Sequence, residues 1–201
     1  MKPTDILSNE HRVIEQVLDC LDKMVTRSAE QQKLEEQPAK RAVDFFRNFA
    51  DRCHHGKEEA HLFPAMEAKG FSRDDGPTGV MLAEHEQGRQ HVRAMDAAIE
   101  AASQGAPEAL KNFTENAQQF SQLLRGHIEK EDRCLFTMAT QALSDQEQCD
   151  LLMTFDQVDS EEFGTATHAK YLKMADDLSA HYGVERRPMT HGSGPCSCGR
   201  Q

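Results

Sequence analysis

The sequence predicts an all-α protein, and three observations carry that prediction. Its 201 residues are rich in Ala, Leu, Glu, Gln, Lys, Asp and Met but poor in Tyr, Val, Ile and Trp, the residues that favour strands. Its apolar residues recur at three- and four-residue spacing, the period of a helix with one buried face. Its Pro and Gly residues fall at the edges of these periodic stretches, where helices start and stop.

A first helix from about Thr4 to Arg27 carries Ile6, Leu7, Val13, Ile14, Val17, Leu18, Leu21 and Val25 as one stripe. A polar stretch, Ser28 to Gln37, separates it from a second helix that Pro38 opens and Gly70 closes. Pro64 lies inside that second helix, so a kink or broken final turn is expected there. Pro77 opens a third helix that stops at Gly105, and Pro107 opens a fourth that reaches roughly Leu143. Ser144 and Glu147 form a capping box that starts a shorter fifth helix. A sixth segment, about Thr167 to Tyr182, ends at Gly183. From Val184 onward no apolar period survives, and a flexible tail is expected.

Lys and Arg total 23 against 34 Asp and Glu, a formal charge of −11. Such a surface lacks the basic face that displaces counterions from nucleic acid, so no nucleic-acid partner is expected. No apolar run approaches the ~18 residues that span a bilayer. Met1 to Ile6 lack the apolar stretch of a secretory signal, and the expectation is a cytoplasmic protein with no membrane partner. The scatter of Cys20, Cys53, Cys134, Cys149, Cys196 and Cys198 does not resemble a disulfide framework.

An internal repeat organises the chain. His54-His55-Gly56-Lys57-Glu58-Glu59-Ala60-His61-Leu62-Phe63 aligns without gaps on His127-Ile128-Glu129-Lys130-Glu131-Asp132-Arg133-Cys134-Leu135-Phe136. Upstream, Leu7-Ser8-Asn9-Glu10-His11 aligns on Met81-Leu82-Ala83-Glu84-His85 at nearly the same offset. The unit is a helix bearing Glu-His followed by a helix bearing His-x-x-Lys-Glu. Two copies make four helices, which suits an up-down-up-down four-helix bundle built from two helical hairpins.

The repeated residues make geometric sense as a metal site. Positions i and i+4 of a helix lie about 40° apart on one face, so His54 with Glu58, and His127 with Glu131, each point at one place. His11 and His85 complete the set from the other two helices. A His-x-x-x-Glu pair alone is commonly a solvated pair, and one His alone a surface or core residue. A duplicated core has reason to repeat its Leu and Phe, but none to repeat Glu and His on the same stripe, where unpartnered burial costs several kcal/mol. Imidazole with carboxylate suits iron, manganese or zinc, and two carboxylates able to bridge favour a dinuclear centre.

These segments resemble the hemerythrin-like proteins, the HHE cation-binding domain family. The resemblance rests on Glu10-His11-Arg12, Cys53-His54-His55-Gly56-Lys57-Glu58-Glu59 with Leu62-Phe63-Pro64, Glu84-His85-Glu86, and His127, Lys130-Glu131-Asp132 with Leu135-Phe136. It covers about residues 4 to 140. It implies a bundle over residues 1–143 that holds two non-haem iron ions with an oxo or hydroxo bridge. Carried across, His11, His54, His85 and His127 are terminal ligands, and Glu58 and Glu131 bridge. Oxygen-carrying members place a further His one turn along the third helix, where this chain has Arg89. His55, Glu15, His61 and His168 are the additional candidates, each weighed against a supporting or surface role. Glu10 and Glu84 are placed to orient ligand imidazoles through their remaining N–H. Residues 144–183 are expected to pack on the bundle as a helical extension, and 184–201 to form a Cys-containing tail.

The implied chemistry is binding of, or reaction with, dioxygen, peroxide or nitric oxide, in sensing, scavenging or stress response. Peroxidase-like, catalase-like or oxygen- or NO-reducing turnover is one form of it. A non-catalytic iron or oxygen store and a redox-responsive signalling module are the alternatives. The expected partner is a small diatomic or peroxide ligand, and the expected state a monomer or weak dimer.

Overall fold

The computed structural model describes residues 1–162 and 165–188, and among these no strand occurs. Helix α1 (Pro3–Gln31) extends one turn further than its apolar stripe predicts. Ser28 is buried, and the turn ends at Gln32 with φ 53°. Helix α2 begins as Glu36–Phe45, widens to a π-helix over Phe46–His55 and again over Glu58–Leu62, and returns to α geometry for Phe63–Glu67. Pro64 therefore does not break the helix. It falls in the first turn after the widened stretch, where its missing N–H costs least.

Helix α3 spans Pro77–Ser103. Helix α4 spans Pro107–Lys130, passes through a π turn at Glu131–Leu135 and continues as Phe136–Ala142. Gly70 (φ 94°) and Gly105 (φ 84°) supply the left-handed residues that end α2 and α3. Helix α5 (Asp145–Gln157) starts at a capping box: the Glu147 N–H donates to Ser144 Oγ at 3.3 Å, and the Ser144 N–H to Glu147 Oε2 at 2.8 Å. Helix α6 spans Thr165–Tyr182.

Helices α1 to α4 bury their stripes in two separate apolar clusters. One holds Ile14, Leu18, Leu21, Phe45, Phe46, Phe49, Met95, Phe113, Phe120 and Ile128. The other holds Leu7, Leu62, Phe63, Met66, Met81, Leu135 and Phe136. On each helix the repeated Glu and His positions lie between residues of the two clusters, so the polar residues form a layer across the bundle.

The last two helices cover the outside. Leu151 and Phe155 of α5 join one cluster, and Tyr171, Met174, Ala175 and Leu178 of α6 join the other. Polar ties fix α6: Gln16 Nε2 donates to Ser179 Oγ at 2.8 Å, and the Tyr182 hydroxyl to Glu35 at 3.0 Å. Beyond Gly183, Arg187 binds Asp19 at 2.9 Å. Cys196 and Cys198 lie outside the described residues. Cys20, Cys53 and Cys134 are free thiols. No helix among the described residues is long and apolar enough to cross a membrane.

Candidate metal centre

The layer between the clusters contains two groups of side chains able to hold a metal ion. His11, His54, Glu58 and Glu131 form one; His55, His85, His127 and Glu58 form the other. Within each group the ligating atoms lie within 4.8 Å of one another, and every residue is buried. Two carboxylates link the groups. Glu58 reaches His54 Nε2 at 3.6 Å through one oxygen and His85 Nε2 at 3.5 Å through the other. Glu131 Oε2 stands 3.2 Å from His11 Nε2 and 3.3 Å from His127 Nε2.

Each of the five imidazoles has an acid behind it. The Nδ1–H of His11 donates to Asp132 at 2.9 Å, of His54 to Glu10 at 2.9 Å, and of His55 to Asp51 at 3.4 Å. His85 donates to Glu59 at 2.7 Å and His127 to Glu84 at 2.9 Å. Because an ionised carboxylate only accepts, these bonds put the proton on Nδ1 and leave each Nε2 lone pair facing inward. The two copies exchange these supports. His54 and His127 take theirs from the Glu preceding the other His of the same copy. His11 takes its acid from the second copy, and His85 from the first.

Basic side chains hold the acids. Lys57, wholly buried, binds Glu10 and lies 2.7 Å from Asp159, and Lys130 binds Glu84. Arg12 binds Asp132, and Arg89 lies 3.0 Å from both Glu59 and Asp51. Burial alone would raise the pKa of Glu10, but His54 and Lys57 hold it down at about 2. Glu59 is likewise held at about 2, with His85 and Arg89 outweighing its burial. Glu58 behaves oppositely: burial, reinforced by the neighbouring charge of Glu131, pushes it well above the usual carboxylate range.

A bound cation fits this arrangement because the inward atoms have nothing else to bind. His11 Nε2, His54 Nε2, His55 Nε2 and all four oxygens of Glu58 and Glu131 are buried and form no hydrogen bond. Buried polar atoms are ordinarily satisfied. Here lone pairs face lone pairs, and a positive ion at each group answers them. The donor set is imidazole nitrogen and carboxylate oxygen, suited to first-row metals. Cys53 is not part of it, since its thiol lies 3.6 Å from Asp159.

The structure brings His11, His54, Glu58, His85, His127 and Glu131 together and adds His55. His54 and His55 are adjacent yet serve different groups: His54 lies beside His11 (ring centroids 4.6 Å apart), and His55 stacks on His85 at 3.8 Å. The other three candidates stand outside both groups. Glu15 pairs with Arg12 at 2.8 Å and Arg187 at 3.4 Å. His61 faces the Phe155 ring at 6.4 Å. His168 packs on Phe49 at 5.5 Å and lies near Glu10 and Asp159, where the Lys57 ammonium already supplies the cation. Arg89, at the position of the expected third-helix His, neutralises the acids behind His55 and His85 instead. The supports Asp51, Glu59 and Asp132 and the anchors Lys57 and Lys130 escaped the sequence reading. The repeat signals most of them, since Lys57 aligns with Lys130 and Glu59 with Asp132.

Fold and site together define a class: a helical bundle whose repeated hairpins enclose a buried histidine and carboxylate site able to hold metal cations. The family model described as Hemerythrin HHE cation binding domain matches residues 2–139, and the chain belongs to that family. Among curated proteins, the uncharacterized proteins Rv1995 of Mycobacterium tuberculosis and Mb2018 of Mycobacterium bovis are each 22% identical to it over 182 residues. Those alignments cover 90% of this chain and 70% of each relative. No solved structure matches significantly.

Proposed function

We propose that the chain is a non-haem di-iron protein that binds or reacts with dioxygen, peroxide or nitric oxide. The observation that carries this reading is the convergence of five Nε2 atoms and two linking carboxylates, most of them with no hydrogen-bond partner. His55, His85 and His127 would hold one ion, His11 and His54 the other, with Glu58 and Glu131 shared. When bound, a pair of ferrous ions supplies electrons, and an open coordination position, for a small oxygen or nitrogen species.

The protein's own residues do the rest. The acids behind the rings hold the proton on Nδ1, orient each imidazole and make its Nε2 more basic. Phe136 stacks on His11 at 5.4 Å and Phe63 on His85 at 5.9 Å, walling the site from water on the side of the second cluster. The unequal histidine count, three against two, leaves the His11 and His54 ion with the smaller protein ligand set. That is the position we assign to the incoming ligand.

Metal content, with optical spectra of the reduced protein exposed to air, peroxide and nitric oxide, tests this reading. Two irons per chain and a spectral response to at least one of the three support it. A chain purified with iron available that binds none overturns it. Reversible oxygen uptake without turnover would assign storage or carriage, and a redox-dependent change of oligomeric state would assign signalling.

A further inference from the structure

A cavity of about 200 Å³ lies between α2, α3 and α4, against one side of the three-histidine group. Its polar wall is His55, His85 and His127 with Asp51 and Glu84, the acids behind two of those rings. Glu58 and Glu131 do not line it, so it adjoins the outer edges of the imidazoles and not the space between the carboxylates. Phe46, Ala50, Val92, Phe120, Leu123 and Leu124 form its apolar wall, and Arg47, Arg89 and Arg93 also line it.

The repeat explains why the space is open. In the register that sets Glu84-His85 on Glu10-His11, Gly88 stands where the first copy has Ile14, a buried core residue. Gly88 also lines the cavity. A Cβ there would meet Phe120 at 3.5 Å, an ordinary contact, so close packing does not demand a glycine. Glycine weakens a helix interior, and a core selected for stability alone fills voids of this size.

The charges around the cavity are already answered. Arg47 binds Asp96 at 2.8 Å, Arg93 binds Glu86 at 2.9 Å, and Arg89 is shared by Asp51, Glu59 and Glu86. Glu84 is held by His127 and Lys130. An ion entering would find no unpaired counter-charge, whereas an apolar solute would find apolar walls. A wholly apolar cavity of about 150 Å³ stays dry and takes up benzene or xenon, and the apolar wall here offers a ring the same kind of contact.

We propose that this cavity binds a small uncharged apolar molecule, about the size of one aromatic ring, against the outer edges of His55, His85 and His127. The site requires no bound metal, so its test is separate from that of the di-iron reading.

The probes are benzene and benzoate, added to the full chain in metal-free and iron-loaded forms. At ten times its dissociation constant benzene is expected to raise the thermal midpoint by roughly 3–6 °C. It is also expected to shift the ring NMR signals of His55, His85 or His127 in the metal-free chain, and benzoate to do neither. Gly88→Ile, which restores the first-copy residue, and Ala50→Leu are each expected to abolish the effect while keeping native circular dichroism. No midpoint change with benzene overturns the proposal, as does an unchanged response in either folded variant. A rise without shifts of those ring signals puts the probe elsewhere and overturns it too. Equal binding of benzoate overturns the uncharged ligand class.

Discussion

The Nε2 atoms of His85 and His127 stand 3.1 Å apart, and as neutral Nδ1–H tautomers neither ring has a proton to offer the other. Each ring has committed its Nδ1–H outward, to Glu59 and Glu84. Two lone pairs at that separation repel, and a shared positive ion removes the conflict. The same logic runs across the layer, where His11 and His127 both aim Nε2 at one oxygen of Glu131.

Loss of an inward ligand should therefore lower metal content directly. His54→Ala and His127→Ala are expected to fall below two irons per chain by elemental analysis, while Glu15→Gln and His61→Ala keep both. Full iron in both His variants would show the ligand assignment to be wrong.

The supporting acids predict a graded effect. Asp132→Asn and Glu59→Gln leave every ligand in place but weaken the hold on His11 and His85. A metal affinity reduced about 10–100-fold is expected, measured by competition with a chelator of known strength. An unchanged affinity would mean that these bonds only orient the rings in the metal-free chain.

Glu58 lies wholly buried with no hydrogen bond to either oxygen. Removing its ionisable carboxyl should cost the loaded protein its bridge yet relieve the metal-free one, where folding must either bury an unpaired charge or take up a proton. Glu58→Gln is expected to raise the thermal midpoint of the metal-free chain and to abolish the rise that iron produces. Parallel melting curves with and without metal decide it.

Acid sensitivity away from the centre should track Glu35. Burial would raise its pKa, but hydrogen bonds from His181 and Tyr182 and the charge of Arg27 lower it in the folded chain. A depressed folded pKa means the stabilisation is complete above the unfolded carboxylate value, about 4.3, and is lost as pH falls through the folded value. Glu35→Gln should flatten the decline in stability below that pH and lower stability near neutrality.

Thiol reactivity should separate by burial. Burial, only partly offset by Ser179, pushes Cys20 up to about 11, and burial with the nearby charges of Glu10 and Asp159 pushes Cys53 higher still. Cys134 is exposed. Alkylation at pH 8, mapped by mass spectrometry, should modify Cys134 quickly and the other two only on unfolding.

The helices and six of the converging positions were legible because a repeat doubles every signal. His54 and Glu58 recur as His127 and Glu131, and Glu10-His11 recurs as Glu84-His85. His55 was not legible in this way: its counterpart is Ile128, so the repeat gives it no support. Neighbours on an α-helix also point about 100° apart, which argues against both His54 and His55 serving one site. They face two different groups, and α2 carries both where its turns widen to π geometry, a local distortion common at functional sites.

By itself the sequence determined an acidic, all-helical, duplicated chain with two His-x-x-x-Glu faces, since periodicity and capping are local properties. Only the tertiary structure decided which side chains meet across helices. It placed His55 rather than Glu15, His61 or His168 in the centre, crossed the supports of His11 and His85 between copies, and left a cavity where Gly88 replaces Ile14. Those outcomes depend on how four helices rotate about their axes to bury two apolar clusters, and helix rotation is fixed by packing between segments far apart in the chain.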